Sequence, residues 1–297
     1  MQERSSANKW LIGCGIGCGV FVLILIILAT GGYLLCRGTV QQVQDLAAVQ
    51  DSLRVRYGRL NSYIPSADGR IAPDRIELFL AIRKDVLPAA RDLTSLAVSL
   101  SQRDKKKQEG SSLSNVLRGM KDGLSLIPRF AEFNHLKMKT LLDSSMHPGE
   151  YYYYYILSYY SYLGKKPWDS PAELELSANG TVFYSSRDTT LFDPQDRTAG
   201  QRSGKQQLLR EIRDTMISIM KNQYSVAKGG LPASGKGWPT ALERELGKLR
   251  QDPMRLPWQD GLPWPLKDSL MPFRKELETS YDPGSNFFEM IFSAEFN

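Results

Sequence analysis

An uncharged stretch from Trp10 to Cys36 constrains this chain more than any other feature. A helix needs roughly 20 apolar residues to cross the hydrocarbon core of a bilayer, so this stretch is long enough to span one with some tilt. We therefore predict a transmembrane helix over residues 10–36. The expected membrane-spanning core consists of its most apolar residues: Val20, Phe21, Leu23, Ile24, Leu25, Ile26, Ile27 and Leu28.

The charges around this segment predict its orientation. Arg4 and Lys9 precede it, whereas Arg37 is the one basic residue that follows it closely. Because basic residues favour the cytoplasmic side, we expect a short cytoplasmic tail over residues 1–9. The main domain would then be extracytoplasmic, and periplasmic in a Gram-negative cell. A cleaved signal peptide with small residues at 29–31 is the alternative, but the apolar run continues beyond that point.

Glycines recur at every second position where the predicted span begins, at Gly13, Gly15, Gly17 and Gly19. Two overlapping pairs with four-residue spacing result, and small residues at this spacing let two helix backbones approach closely in a membrane. This pattern predicts a helix-association face and a homo-oligomer. The alternative is a weakly helical entrance to the span, since glycine destabilises helices.

Composition excludes several classes of site. The 297-residue chain has a formal net charge of +6 with acidic and basic residues interspersed, which does not indicate a nucleic-acid partner. Its three cysteines, at positions 14, 18 and 36, all lie inside or at the edge of the predicted span. The remaining domain therefore has no disulfide framework, cysteine metal site or thiol nucleophile.

Apolar residues at helical spacing predict an all-α protein, in which an irregular multi-helix bundle follows the transmembrane helix. We expect a helical subdomain over 37–164, an irregular connecting segment over 165–205, and a C-terminal helical segment over 206–297 that packs on the first. Pro88 should kink one helix and Pro128 should interrupt another. The clearest stripe predicts an inner helix face formed by Leu208, Leu209, Ile212, Met216, Ile219 and Met220.

Residues 173–185 give conflicting signals. Ser170-Pro-Ala-Glu173 is typical of a capped helix start, with proline at the first helical position. Asn179-Gly180 before an alternating apolar segment instead indicates a short β-hairpin. Both alternatives stay open at this point.

Tyrosine is concentrated between positions 151 and 162, which hold eight of the 14 tyrosines. Five consecutive residues of a helix point all round its axis, so we expect that these rings cannot all be buried and that their hydroxyl groups reach water or a polar partner. One interpretation is a helix wedged between neighbours. The other is an aromatic surface for a glycan, peptide or headgroup, formed by Tyr151, Tyr152, Tyr155, Tyr159 and Tyr162.

Catalytic signals are weak. Ser225-Val-Ala-Lys228 matches the Ser-x-x-Lys pattern of certain serine enzymes, but its companion motifs do not follow it. The two histidines, His135 and His147, lie in no metal-ligand spacing. We therefore predict no catalytic, cofactor-binding or metal-binding residues.

Three functions remain as hypotheses. The first is a single-pass, membrane-anchored extracytoplasmic protein that binds or scaffolds in the cell envelope, with the bilayer and an unknown envelope protein or glycan as partners. The second is an envelope hydrolase whose site is assembled from dispersed acidic residues or a Ser/Lys pair. The third is a purely structural oligomer held by the glycine face.

Overall fold

Helices form most of the protein that the structure describes, which confirms the prediction of a mainly helical protein. The computed structural model describes residues 45–106, 113–169, 174–176, 182–184, 194–230 and 237–291. Side chains are described within 45–99, 128–169, 205–229, 237–286 and 288–289. The predicted membrane-spanning core Val20–Leu28 and the glycines at 13–19 lie outside these residues.

The helices of the described residues follow in chain order. They are α1, described from residue 45 to residue 57, α2 (Pro73–Lys106), α3 (Leu113–Asp143), α4 (Pro148–Tyr155), α5 (Pro194–Gly230), α6 (Gly237–Gln251), α7 (Trp264–Leu270), α8 (Arg274–Ser280) and α9 (Pro283–Ile291). A π-helical segment, Ile156–Tyr162, continues α4, and 3₁₀ turns occupy Leu60–Ser62 and Met271–Phe273.

Two long helices continue through an internal proline. Pro88 lies inside α2 and Pro128 lies inside α3. The prediction that Pro128 interrupts its helix is therefore wrong. A proline costs about 3 kcal/mol within a helix, but α2 and α3 pack along each other, and such packing of an amphipathic face supplies most helix stability in proteins.

Two strands pair in the stretch where the sequence signals conflict. β1 (Leu174–Leu176) and β2 (Val182–Tyr184) are antiparallel, with Leu174 opposite Tyr184 and Leu176 opposite Val182. The backbone therefore follows the hairpin alternative instead of the capped helix.

The core surrounds α2, which contacts α3, α4, α8 and α9. Its buried face carries Ile76, Phe79, Ile82, Val86, Ala90, Leu93 and Ala97. On α5, all six residues of the predicted inner face are buried, as expected from their helical spacing.

The chain divides into two units, Met1–Ala47 and Ala48–Asn297. The predicted segments 37–164, 165–205 and 206–297 stay predictions, although α8 and α9 do pack on α2. No helix among the described residues combines the length and apolar composition that crossing a bilayer requires.

Candidate functional site

The tyrosine-rich helix begins at a tightly built turn. His147 caps α4, because its Nδ1 accepts a hydrogen bond of 2.8 Å from the Gly149 N–H group. Pro148 occupies the first helical position, and Glu150 lies in the first turn, where an acidic side chain is favourable. Glu150 and the five tyrosines that follow it are buried.

The π-helical segment packs Tyr155 against two later tyrosines, of which Tyr160, five residues on, would be turned further away in an α-helix. A π-helix is wider than an α-helix and occurs mostly as a single turn, frequently at functional sites. Here the Tyr155 ring lies 4.7 Å from Tyr159 and 5.8 Å from Tyr160, measured between centroids. Tyr155 and Tyr160 both donate hydrogen bonds to Oδ1 of Asn286, at 3.1 and 2.6 Å. Asn286 in turn donates to the backbone carbonyl groups of the loop at 166–169.

The predicted aromatic surface is wrong for four of its five residues. Tyr151, Tyr152, Tyr155 and Tyr159 are 3%, 5%, 1% and 0% exposed, and Tyr162 alone is partly exposed. The expectation that these rings cannot all be buried fails because neighbouring elements enclose the helix on every side. Polar partners for the hydroxyl groups, which the sequence also predicts, include Gln223 on α5 and Ser280 on α8.

Arg83 is the centre of a fully enclosed charge cluster. Its side chain has no exposed surface, and its Nη1 donates to Oε1 of Glu289 at 2.5 Å. Glu289 also pairs with Lys137 and accepts a hydrogen bond of 3.1 Å from the Tyr151 hydroxyl. The Arg83 guanidinium lies 5.1 and 5.6 Å from the ring centroids of Tyr155 and Tyr159, within the range of cation–π attraction.

The charges of this cluster stabilise one another. Burial by itself would raise the pKa of Glu289, but Lys137 and Arg83 outweigh burial, and the pKa is lowered from its ordinary value. Burial raises the pKa of Tyr151 well above its ordinary value, so this hydroxyl stays protonated and donates. Lys137, Glu289 and Arg83 therefore form an internal ionised group that ties α2, α3 and α9 together.

A second pair, Arg75 and Glu150, is organised differently. Arg75 donates from Nε to Oε1 of Glu150 at 2.7 Å and from Nη2 to Oε2. The Tyr154 hydroxyl donates to the same Oε1 at 3.0 Å, and the Tyr63 hydroxyl lies 3.4 Å from that of Tyr154. Burial is the largest cause that raises the pKa of both tyrosines, so both hydroxyl groups stay protonated.

This second pair borders a pocket of about 170 Å³. The pocket lies where the chain from Tyr63 to Ala72 meets the first turns of α2 and α4. Charged, polar and apolar residues all line it: Tyr63, Pro65, Ser66, Gly69, Arg70, Ile71, Ala72, Arg75, Glu150, Tyr153, Tyr154, Gln223 and Leu266. Gln223 fixes one wall, because it donates to the Ser66 carbonyl at 2.7 Å and accepts from the Tyr153 hydroxyl.

The Ser-x-x-Lys motif forms no catalytic pair. The Ser225 hydroxyl donates to the Lys221 carbonyl at 3.0 Å, and the Lys228 ammonium lies over the Tyr224 ring. The lysine is therefore not placed to accept the serine proton. Within the described residues, no three His, Cys, Asp or Glu side chains converge as metal ligands.

Sequence patterns missed both arginine–glutamate pairs, although one signal was present. Helical spacing from Ile76 through Phe79 to Val86 assigns position 83 to the buried face, and an arginine stands there. A charged residue at a position that periodicity assigns to the core indicates a buried ionic partner, since an unpaired charge cannot stay there. Nothing in the local sequence identifies that partner as Glu289.

Comparison with known proteins adds no relative. No protein-family model, no curated protein and no solved structure matches the chain.

Proposed function

We propose that this chain is a single-pass membrane-anchored protein whose helical body binds a small polar ligand outside the cytoplasm, as a binding component of the cell envelope. The observation that carries the binding role is the pocket beside Arg75 and Glu150. Its polar groups are held in place by one another before any ligand arrives, and Arg75 and Glu150 lie in the first turns of α2 and α4. Pre-organised polar groups in a partly apolar pocket are typical of ligand sites.

The same contacts favour binding over catalysis. Both Glu150 oxygens already accept hydrogen bonds, and the raised pKa values of Tyr63 and Tyr154 keep their hydroxyl groups protonated. A general base or nucleophile needs a lone pair that is available near neutral pH. The hydrolase hypothesis also loses its Ser/Lys pair, because Ser225 hydrogen-bonds to its own helix.

The anchor is supported by the uncharged stretch Trp10–Cys36 and by the basic residues that precede it. We expect the full chain to stay in the membrane pellet after extraction at alkaline pH. An alkaline phosphatase fused after residue 297 should be active, and a fluorescent protein fused there should be dark, if the body is exported. The opposite pair of results would place the body in the cytoplasm.

A charge variant tests the span directly. The double substitution Leu25→Arg and Ile26→Arg should release the chain from the membrane, because each arginine at the centre of a span costs roughly 2.5–3.5 kcal/mol. The matched control is Val55→Arg, since Val55 is 89% exposed on α1. Release of the control, or retention of the double variant, would contradict the anchor.

Self-association through Gly13, Gly15, Gly17 and Gly19 is part of the same proposal, with a second copy of the chain as partner. Gly17→Leu should abolish a crosslinked dimer in membranes. An unchanged dimer in this variant would remove the support for a glycine-mediated oligomer.

A blocked pocket tests the binding role. Ala72 is exposed at the pocket rim, so Ala72→Phe should fill the entrance without disturbing the core. Small polar molecules that raise the melting temperature of the wild type should no longer do so in this variant. If every stabilising molecule acts equally on both proteins, the ligand site lies elsewhere.

A further inference from the structure

Hydrogen-bond donors are left over in the pocket beside Arg75. A guanidinium carries five N–H groups, and those of Nε and Nη2 that face Glu150 are occupied. Within the described residues, Nη1 of Arg75 has no hydrogen-bond partner. The Arg75 side chain keeps 29% of its surface exposed, so a ligand can reach it.

Both carboxylate oxygens of Glu150 already accept hydrogen bonds. Oε1 of Glu150 accepts from Arg75 and Tyr154, and Oε2 accepts from Arg75. The Tyr63 hydroxyl makes a long contact of 3.4 Å with Tyr154 and can donate to a ligand instead. Nη1 of Arg75 and the Tyr63 hydroxyl are both donors, so a ligand that bonds to them must bring acceptors.

The charged residues of the lining also favour an anionic ligand. Arg70 and Arg75 outnumber the single acid, Glu150, among the lining residues. Arg70 contacts Asp268 at 3.4 Å, but both side chains are well exposed, and exposed pairs of this kind attract each other weakly. The lining therefore holds two guanidinium groups and one carboxylate, while the carboxylates of Asp268 and Asp68 lie beside Arg70.

Size and wall composition restrict the rest of the ligand. An apolar cavity of roughly 150 Å³ holds benzene, and this pocket measures about 170 Å³. Pro65, Ile71 and Leu266 contribute apolar atoms to the lining. A bare inorganic anion would leave these atoms uncovered.

We propose that the pocket binds a small organic carboxylate with a body about the size of one ring. The carboxylate group accepts from the Nη1 side of Arg75 and from the Tyr63 hydroxyl, Arg70 attracts it at the rim, and the body covers Ile71 and Leu266. This inference rests on the proposed binding function and names its ligand class.

Benzoate and benzamide test the charge at nearly constant shape. With the full chain in detergent, we expect benzoate to bind with a dissociation constant of about 1 mM and benzamide to bind at least about tenfold more weakly, because charge-assisted hydrogen bonds are the stronger ones. Inorganic phosphate should bind more weakly than benzoate. Calorimetric titration gives the three constants.

Variants locate the site. The double variant Arg75→Gln with Glu150→Gln removes the guanidinium and leaves a neutral pair, so benzoate should lose its advantage over benzamide. Arg70→Gln changes an exposed rim residue and should weaken benzoate severalfold while reducing its dependence on salt. The matched control, Arg274→Gln with Glu278→Gln, neutralises a surface pair on α8 and should leave all constants unchanged.

The outcomes distinguish an error in the proposed ligand class from an error in the proposed site. If benzamide binds as tightly as benzoate, the carboxylate inference is overturned while a ligand pocket remains. If neither probe binds, the carboxylate inference is also overturned, and the Ala72→Phe comparison still tests the pocket separately. If benzoate binds the Arg70→Gln and double variants as tightly as the wild type, both the inference and the site are wrong. A double variant that does not fold leaves the decision to Arg70→Gln and the salt dependence.

Discussion

Arg75 and Arg83 lie on the same helix about two turns apart, and each pairs with a buried glutamate beside the tyrosine segment. Arg83 is enclosed by Tyr151, Tyr155 and Tyr159, and its neighbours surround every side of the guanidinium. Arg75 instead uses one edge for its glutamate and turns towards a pocket. Two similar ion pairs on one helix therefore differ in their access to solvent.

This difference in solvent access separates the structural role of the Arg83 cluster from the binding role proposed for Arg75. A fully enclosed charge has no path for a ligand, so the Arg83 cluster can only hold helices together. Burying ions costs several kcal/mol each, and a buried pair is retained only where good geometry and further hydrogen bonds offset this cost. The Arg75 pair costs less to form because it is partly solvated, and its remaining N–H groups are available to a partner.

The largest expected effect is at the enclosed cluster. Glu289→Gln should lower the free energy of unfolding by about 3–5 kcal/mol, because Arg83 and Lys137 would lose their counter-charge in a dry interior. Urea unfolding measures this loss. The exposed pair Arg274–Glu278 is the control, and Glu278→Gln should leave the unfolding midpoint almost unchanged. An equally small effect of both variants would show that the cluster does not hold the body together.

The next effect concerns the close approach of the α4 start to the Leu60 turn. A Cβ atom at Gly149 would lie 2.0 Å from the Leu60 carbonyl oxygen, which cannot move without its 3₁₀ turn. Gly149→Ala should therefore cost about 2–3 kcal/mol of stability. Gly247→Ala on α6 is the matched control, because its Cβ would meet nothing within 4 Å.

The control should be stabilised by up to about 1 kcal/mol, as expected for alanine within a helix. Melting temperatures of the two variants compare them directly. A Gly149→Ala protein as stable as the wild type would show that α4 and the Leu60 turn do not approach closely.

The third prediction compares the two glutamates. Glu150→Gln should cost about 1–2 kcal/mol, clearly less than Glu289→Gln, because solvent reaches Arg75 and partly replaces the lost partner. Both variants can be unfolded in urea under the same conditions. Equal losses would mean that the two pairs are equally enclosed, which would contradict the comparison.

The smallest effect is a pH dependence at the start of α4. Burial lowers the pKa of His147 below its ordinary value, and the Tyr57 carbonyl and Glu150 offset this only in part. The unfolded chain then binds more protons than the folded one as the pH falls below about 6.5, so stability should decrease in that range. Protonation of Nδ1 would also remove the cap on Gly149.

His147→Gln should show a weaker loss of stability between about pH 7.5 and pH 5.5 than the wild type. His135→Gln removes the other histidine and is the control. If the wild type and His147→Gln lose the same stability over this range, His147 does not contribute to the pH dependence.

The elements that local patterns predicted are those whose stability depends on one buried face. The prediction of the inner face of α5, from Leu208 to Met220, is correct because apolar residues at this spacing share a single face of the helix, and that face is buried. The prediction at Pro128 was wrong because it considered only the local cost of a proline inside a helix. The packing of α2 on α3 offsets that cost. The prediction of an exposed aromatic surface was wrong for a similar reason. The partners of the tyrosine hydroxyl groups come from helices far along the chain.

The sequence by itself determined that the described body is helical and that charge is absent from residues 10–36, because periodicity and composition are local properties. Only the tertiary structure decided which glutamate each arginine meets, because Glu150 and Glu289 lie far from α2 along the chain. Enclosure, which makes one pair a structural cluster and leaves the other beside a pocket, depends on all the surrounding helices at once and has no signature in any single segment.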